Sequence, residues 1–161
     1  MNGHWLRVTP TEWAKAREDP DWAFTLARSA WEDEAWRLCS TDKAWHALDF
    51  LLSRRGFGVP LVYGAELLVD LPAGLDVDWG YGPPLVLPPK QVAVAASELA
   101  QLTEEDLVRG VEQADLDRAD IYPAVWDRPG ELDWVTGHLP RAQEFFAAAA
   151  RDGHAVICWR D

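Results

Sequence analysis

The chain has 161 residues, of which 48% are apolar and 26% are charged, a composition typical of one globular domain. It carries 15 basic residues against 27 acidic ones, so the formal net charge is −12. Such a charge repels phosphate backbones and anionic lipid headgroups, and therefore no nucleic-acid or membrane partner is expected. A basic protein partner or a small ligand is compatible with it, and the oligomeric state stays open.

No apolar run approaches the ~20 residues that cross a bilayer, and the first residues lack the apolar stretch of a signal peptide. We therefore expect the protein in the cytoplasm. Cys39 and Cys158 have no partner at a metal-ligand or redox spacing, so neither a disulfide framework nor a structural zinc is expected. No metal or cofactor motif occurs, and no cofactor is expected.

Hydrophobic periodicity and capping residues predict the elements in chain order. A strand over residues 4–8 precedes a helix with Thr9 as N-cap, Pro10 in the first helical position and Glu12 three residues after the cap. A second helix is predicted from 21 through 38 and a third from 42 to about 54. The later elements are short strands at 61–63, 66–69 and 85–87, helices at 89–102, 103–111, 131–138 and 140–151, and a buried strand at 154–160.

The third helix carries the first candidate site. Its apolar side chains share one face, whereas Asp42, His46, Asp49 and Ser53 gather within about 60° on the other. Two carboxylates about one turn from His46 would raise its pKa, which suits a general acid or, with Asp42 at i, i+4, half of a metal site. A solvated, self-paired helix face explains the same pattern, and we favour that interpretation.

Two further segments combine aromatic residues with unusual backbone. In the turn from Asp76 to Pro84, Gly80 and Gly82 permit positive φ on both sides of Tyr81, next to Trp79. It lacks the lysine of a phosphate loop, and we interpret it as a rigid turn that presents or buries Tyr81. The loop 120–127 contains Tyr122 and Trp126; such residues plug a core edge, or line a pocket or an interface.

In order and spacing, four segments resemble the bacterial YfbM-like family: Asp42 to Leu52, Gly80-Tyr81-Gly82-Pro83, Ile121-Tyr122-Pro123-x-x-Trp126, and Phe145-Phe146-x-x-Ala149-Ala150-x-x-Gly153-x-Ala155-Val156. The resemblance implies one α+β domain over residues 1–161, with helices packed on a small mixed or antiparallel sheet. It implies no catalytic residues, because that family has no assigned function. The proline-rich stretch 56–75 departs from the pattern.

Three functions fit the sequence. The favoured one is a non-catalytic protein-binding domain of the inhibitor or immunity type, which masks a basic surface. The alternative is an enzyme or small-ligand binder with a cleft near His46, Tyr81 and Tyr122, and a third is a carbohydrate-stacking platform of tryptophans. The candidate cleft residues are Asp42, Trp45, His46, Asp49, Trp79, Tyr81, Tyr122 and Trp126.

The ten tryptophans do not all point to function. Helical spacing beside apolar neighbours predicts that Trp31 and Trp45 are core residues, and the same applies to Trp13 and Trp22. Trp159 ends a buried strand and is also predicted to be core. We expect only Trp79 and Trp126 at a functional surface.

Overall fold

The computed structural model describes residues 1–33, 35–69 and 77–161. Among these residues, five antiparallel strands form one sheet in the order β2-β1-β5-β4-β3. The strands are β1 (Gly3–Val8), β2 (Leu38–Asp42), β3 (Glu66–Leu67), β4 (Leu85–Leu87) and β5 (Ala155–Arg160). The predicted single-domain α+β fold is confirmed, and of the two sheet types the antiparallel one is found.

The helices are α1 (Pro10–Glu18), α2 (Pro20–Asp33), α3 (Trp45–Arg54), α4 (Pro89–Leu99), α5 (Glu104–Val108), α6 (Gln113–Arg118), α7 (Glu131–Thr136) and α8 (Leu139–Arg151). Capping residues set several of the starts. Thr9 accepts a hydrogen bond from the Glu12 N–H at 3.2 Å, and the Glu12 carboxylate accepts from the Thr9 N–H at 2.8 Å, which is the predicted capping box.

The sheet has a hydrophobic core on each face because successive side chains of a strand point to opposite sides. Trp5 and Cys158 face a larger core under α3, α4 and α8, whereas Leu6 and Trp159 face a smaller core under α1 and α2. The central strand β5 pairs with β1 from Gly3–Arg160 to Val8–Ala155. Its C-terminal end therefore reaches both faces of the sheet.

Several elements differ from the prediction. The second helix ends at Asp33, and the chain then forms β2 at one edge of the sheet, so Leu38 is a strand residue. The third helix begins at Trp45, three residues after Asp42. Helix α6 covers residues for which no element was predicted, and residues 61–63 form a turn where a short strand was expected. Residues 70–76, including Asp76 of the predicted turn, lie outside the described residues.

Candidate functional site

Four of the predicted site residues come together near the start of α3, on the side of the larger core: Trp45, His46, Asp49 and Tyr122. The buried Trp45 ring stacks on His46 with 5.0 Å between ring centroids and on Tyr122 with 6.0 Å. The Tyr122 N–H donates a hydrogen bond of 3.0 Å to Nδ1 of His46. We call Trp45, His46, Tyr63, Tyr122 and Arg160 the His46 cluster, and the nearby Asp49 acts electrostatically on Tyr63.

The protonation of His46 differs from the prediction. Burial is the largest influence and lowers the pKa of His46; Asp120 opposes this and Arg160 adds to it. The hydrogen bond from the Tyr122 N–H requires a lone pair on Nδ1, so the neutral ring carries its proton on Nε2. Such an imidazole can donate a hydrogen bond, but it lacks the second proton of a general acid.

Of the two carboxylates predicted beside His46 on one helix, Asp49 lies on that helix and Asp42 does not. Asp42 is exposed at the end of β2 with φ of 49°, and its charge acts on His138 rather than on His46. A helical face shared by Asp42 and His46 was therefore a wrong prediction, because the helix starts too late to include Asp42. Asp49 does lie on α3, and burial raises the pKa of its carboxyl group.

Two members of this cluster, Tyr63 and Arg160, were not among the predicted site residues. The Arg160 guanidinium lies 5.5 Å from the Trp45 ring centroid and 4.9 Å from that of Tyr63. The Tyr122 hydroxyl accepts a hydrogen bond of 3.2 Å from the amino group of Met1. No local pattern indicates these contacts, because sheet pairing brings Arg160 beside residues about a hundred positions away.

The turn around Tyr81 has the positive φ that was predicted for the glycines on both sides of it, 138° at Gly80 and 96° at Gly82. The Asp78 carboxylate accepts hydrogen bonds from the N–H groups of Gly80 and Gly82, at 2.8 and 3.1 Å. Tyr81 donates its N–H to the Arg160 carbonyl at 2.9 Å, and the Arg160 guanidinium donates back to the Tyr81 carbonyl at 3.3 Å. The turn therefore presents the Tyr81 ring, which is 55% exposed, and fastens it to the end of β5.

Trp126 belongs to the core rather than to a surface. Its side chain is buried, and its indole N–H donates to the Ile121 carbonyl at 2.6 Å. The loop thus plugs a core edge, one of the interpretations given to it from the sequence.

A second site lies on the other face of the sheet, where a cavity of about 460 Å³ opens between α2 and the end of β5. We call it the tryptophan cleft. Its lining residues are Phe24, Ala27, Arg28, Trp31, Glu32, Trp79, Trp159 and Asp161. The α2 residues fall three and four positions apart, so they form one helical stripe that faces the opposite wall.

The cleft changes the assignment of two tryptophans. Trp31 was predicted to be core, yet 51% of its surface is exposed at the cleft. Trp79 is only 5% exposed, but it lines the cavity and contacts Trp159 edge to face at 5.5 Å between centroids. Helical spacing alone does not distinguish a stripe that faces a core from one that faces a cavity.

Charged groups accompany the aromatic walls. The Asp161 carboxylate lies 2.8 Å from Nε2 of the buried His4, whose ring packs edge to face against Trp31. Glu32 adds a second carboxylate, and Arg28 adds a guanidinium 5.9 Å from the Phe24 ring centroid. The cleft can thus bind an organic group with apolar or cationic character.

Within the residues that the structure describes, no group of three His, Cys, Asp or Glu side chains is arranged to hold a metal ion. Over the same residues, no helix has the length and apolar character that crossing a bilayer requires. Cys39 and Cys158 are both buried and free.

The fold and sites define a class: a small α+β domain with an antiparallel sheet covered by helices on both faces. The chain belongs to the family described as "Domain of unknown function (DUF1877)", which it matches over residues 1–159. Among solved structures, it is similar to the crystal structure of a protein of unknown function, YfbM from Escherichia coli, with 16% identity, 98% of each chain covered and a TM-score of 0.65. No curated protein matches the chain. The structural likeness supports the fold alone.

Proposed function

We propose that the chain is a non-catalytic binding domain that recognises a basic protein partner through the tryptophan cleft. The observation that carries this proposal is the exposed aromatic wall on α2, where Trp31 is 51% and Phe24 is 37% exposed beside a cavity of about 460 Å³. Exposed tryptophan next to a concave surface is a common anchor point in protein interfaces.

The charge of the chain supports a basic partner. A formal net charge of −12 attracts a positively charged surface over distances comparable to the Debye length, which speeds association at low salt. Two carboxylates, Glu32 and Asp161, lie in the cleft itself, so the long-range attraction and the local contacts favour the same sign of charge. Masking of a basic surface is the action of an inhibitor or immunity-type protein.

The enzymatic alternative at the His46 cluster has weaker support. Nδ1 of His46 already accepts a hydrogen bond, and the Tyr122 hydroxyl is engaged by the Met1 amino group. Tyr81 contacts this cluster through hydrogen bonds of its backbone N–H and carbonyl with Arg160. A reaction there remains a prediction, as does a carbohydrate-binding role of the tryptophans.

The proposal is tested by affinity capture from the organism that encodes the chain. The immobilised wild type is compared with Trp31→Ala and with Trp36→Ala, a matched control since Trp36 is 56% exposed but lines a different groove with Arg7 and Arg141. We expect a basic protein that the wild type and Trp36→Ala retain, and that salt elutes. Loss of an interface anchor costs about 2 kcal/mol or more, so Trp31→Ala should bind at least about 30-fold more weakly.

Calorimetry with the purified partner then completes the test. The dissociation constant should rise with salt and rise further in Trp31→Ala. Recovery of the same proteins by the wild type and Trp31→Ala, or of no protein at low salt, would contradict the proposal. Because Trp31 is half exposed, its removal should leave the fold intact, and circular dichroism checks this.

A further inference from the structure

The aromatic rings of the tryptophan cleft form a connected wall. Phe24 and Trp79 have ring centroids 5.5 Å apart, and Trp79 lies the same distance from Trp159. His4 extends the wall, with its centroid 4.9 Å from that of Trp159 and 5.2 Å from that of Trp31. The Phe and Trp rings have electron-rich faces, so a wall of this kind attracts a cation as well as an apolar group.

Two carboxylates and one guanidinium line the same cavity, so its charged side chains sum to one net negative charge. The Asp161 side chain is 47% exposed while it contacts His4, and it therefore retains oxygen surface for a guest. Glu32 is exposed on the α2 wall. A guest with a positive charge can thus meet aromatic faces and carboxylate oxygens together.

Arg28 shows which kind of cation this wall accepts. Its guanidinium already lies over the Phe24 ring at 5.9 Å from the centroid, inside the cavity lining. A guanidinium is planar and weakly hydrated, so it stacks on aromatic faces at a smaller desolvation cost than an ammonium group. Arg28 also places one positive charge in the cavity, and this charge repels a second cation.

We propose that the tryptophan cleft receives an arginine side chain, whose guanidinium lies against the exposed Trp31 ring and pairs with the Glu32 and Asp161 carboxylates. The inference rests on the proposed function for the identity of the protein that supplies this arginine. A cavity of about 460 Å³ admits such a side chain, since small-ligand sites measure roughly 300–1,000 Å³. Arg28 is then a competing internal cation, and its removal strengthens binding.

The test uses Nα-acetyl-arginine amide as the probe, which carries one guanidinium and no other charge. Nα-acetyl-citrulline amide is the neutral control of nearly the same shape, and Nα-acetyl-lysine amide supplies an ammonium. Binding is followed through the indole N–H resonances in ¹H–¹⁵N NMR spectra, assigned with single tryptophan substitutions. Trp36, exposed in another groove, serves as the internal reference.

We expect a saturable shift of the Trp31 resonance with the arginine probe and little change at Trp36. A cation over an aromatic ring corresponds to about a two- to thirtyfold change in affinity, so the citrulline probe should bind at least about twofold more weakly. The affinity of the lysine probe should lie between those of the arginine and citrulline probes. Glu32→Gln should weaken arginine binding about threefold, and Arg28→Gln should strengthen it about threefold, magnitudes typical of partly exposed charge pairs.

Equal binding of the arginine and citrulline probes, an unshifted Trp31 resonance, or weaker binding in Arg28→Gln would overturn the inference. These results separate it from the proposed function. If the captured partner depends on Trp31 but the arginine probe does not bind, the arginine site is wrong and the binding domain stands. If the probe binds but no partner is captured, the proposed function is wrong and the cation site stands.

Discussion

Replacement of Gly80 by alanine tests how the turn at Tyr81 braces the end of β5. Gly80 has φ of 138°, which side chains rarely permit, and an added Cβ would lie 2.8 Å from the Arg160 carbonyl oxygen and 2.9 Å from the Cα of Asp161. Both neighbours are backbone atoms, so they cannot turn away as a side chain would. Gly80→Ala must therefore push the turn and the strand end apart.

The nearby Gly82 provides the matched control. It also has a positive φ, 96°, but an added Cβ there meets nothing within 4 Å. Backbone strain alone costs about 1–2 kcal/mol, which is the expected loss for Gly82→Ala. Overpacking adds about 1–3 kcal/mol, so we expect Gly80→Ala to lose about 2–5 kcal/mol. Both losses are reduced by about 0.4–1 kcal/mol because alanine restricts the unfolded chain.

Urea unfolding followed by tryptophan fluorescence measures these losses. The midpoint should fall for both variants, further for Gly80→Ala, while the slope of the free energy with urea stays unchanged. Gly80→Ala should also weaken binding of the arginine probe, because the displaced Trp79 and Asp161 line the cleft. Equal losses in the two variants would refute the steric argument, since an added Cβ clashes with backbone at Gly80 and meets nothing within 4 Å at Gly82.

Three other outcomes are expected. Trp5→Phe should cost about 1–3 kcal/mol in urea unfolding, because the buried Leu61 carbonyl loses its 2.8 Å hydrogen bond from the Trp5 indole. Burial raises the pKa of Cys39 to about 11, so Cys39 should resist alkylation near pH 8 until urea unfolds the chain; rapid native-state labelling would count against this. Burial also lowers the folded-state pKa of His46, so the unfolded chain takes up the proton first as the pH falls. The free energy of unfolding should therefore fall, through His46, as the pH drops below about 6.5. A folded-state pKa of His46 at or above 6.5 in an NMR titration would exclude this.

Much of the fold was predictable because its signals are local. The capping box at Thr9 and a second one at Thr103 set helix starts through residues only three positions apart. The strand pattern at the C-terminal end was equally plain, because apolar side chains fill both faces of β5. These elements depend on side-chain chemistry that a short window of sequence contains.

The sites were less predictable because they depend on what lies opposite a residue. Trp31 has the helical spacing of a core residue, but α2 faces a cavity there instead of a packed element. Asp42 has the spacing of a helical neighbour of His46, but pairing with Gly3 makes it a strand residue. The contact of Arg160 with Trp45 depends on the sheet register, which no single segment encodes.

The end of β5 links the two candidate sites, and this decides which substitutions can separate them. Trp159 lines the tryptophan cleft, whereas the next residue, Arg160, reaches Trp45 and Tyr63 in the His46 cluster. Tyr81 is hydrogen-bonded to Arg160, so a change in the turn or in the strand end disturbs both sites together. Trp31 lies on α2 and lines the cleft, and it reaches the strand end through His4 and Asp161 rather than through Arg160 or Tyr81. Trp31→Ala is therefore the substitution that assigns binding to the cleft rather than to the His46 cluster.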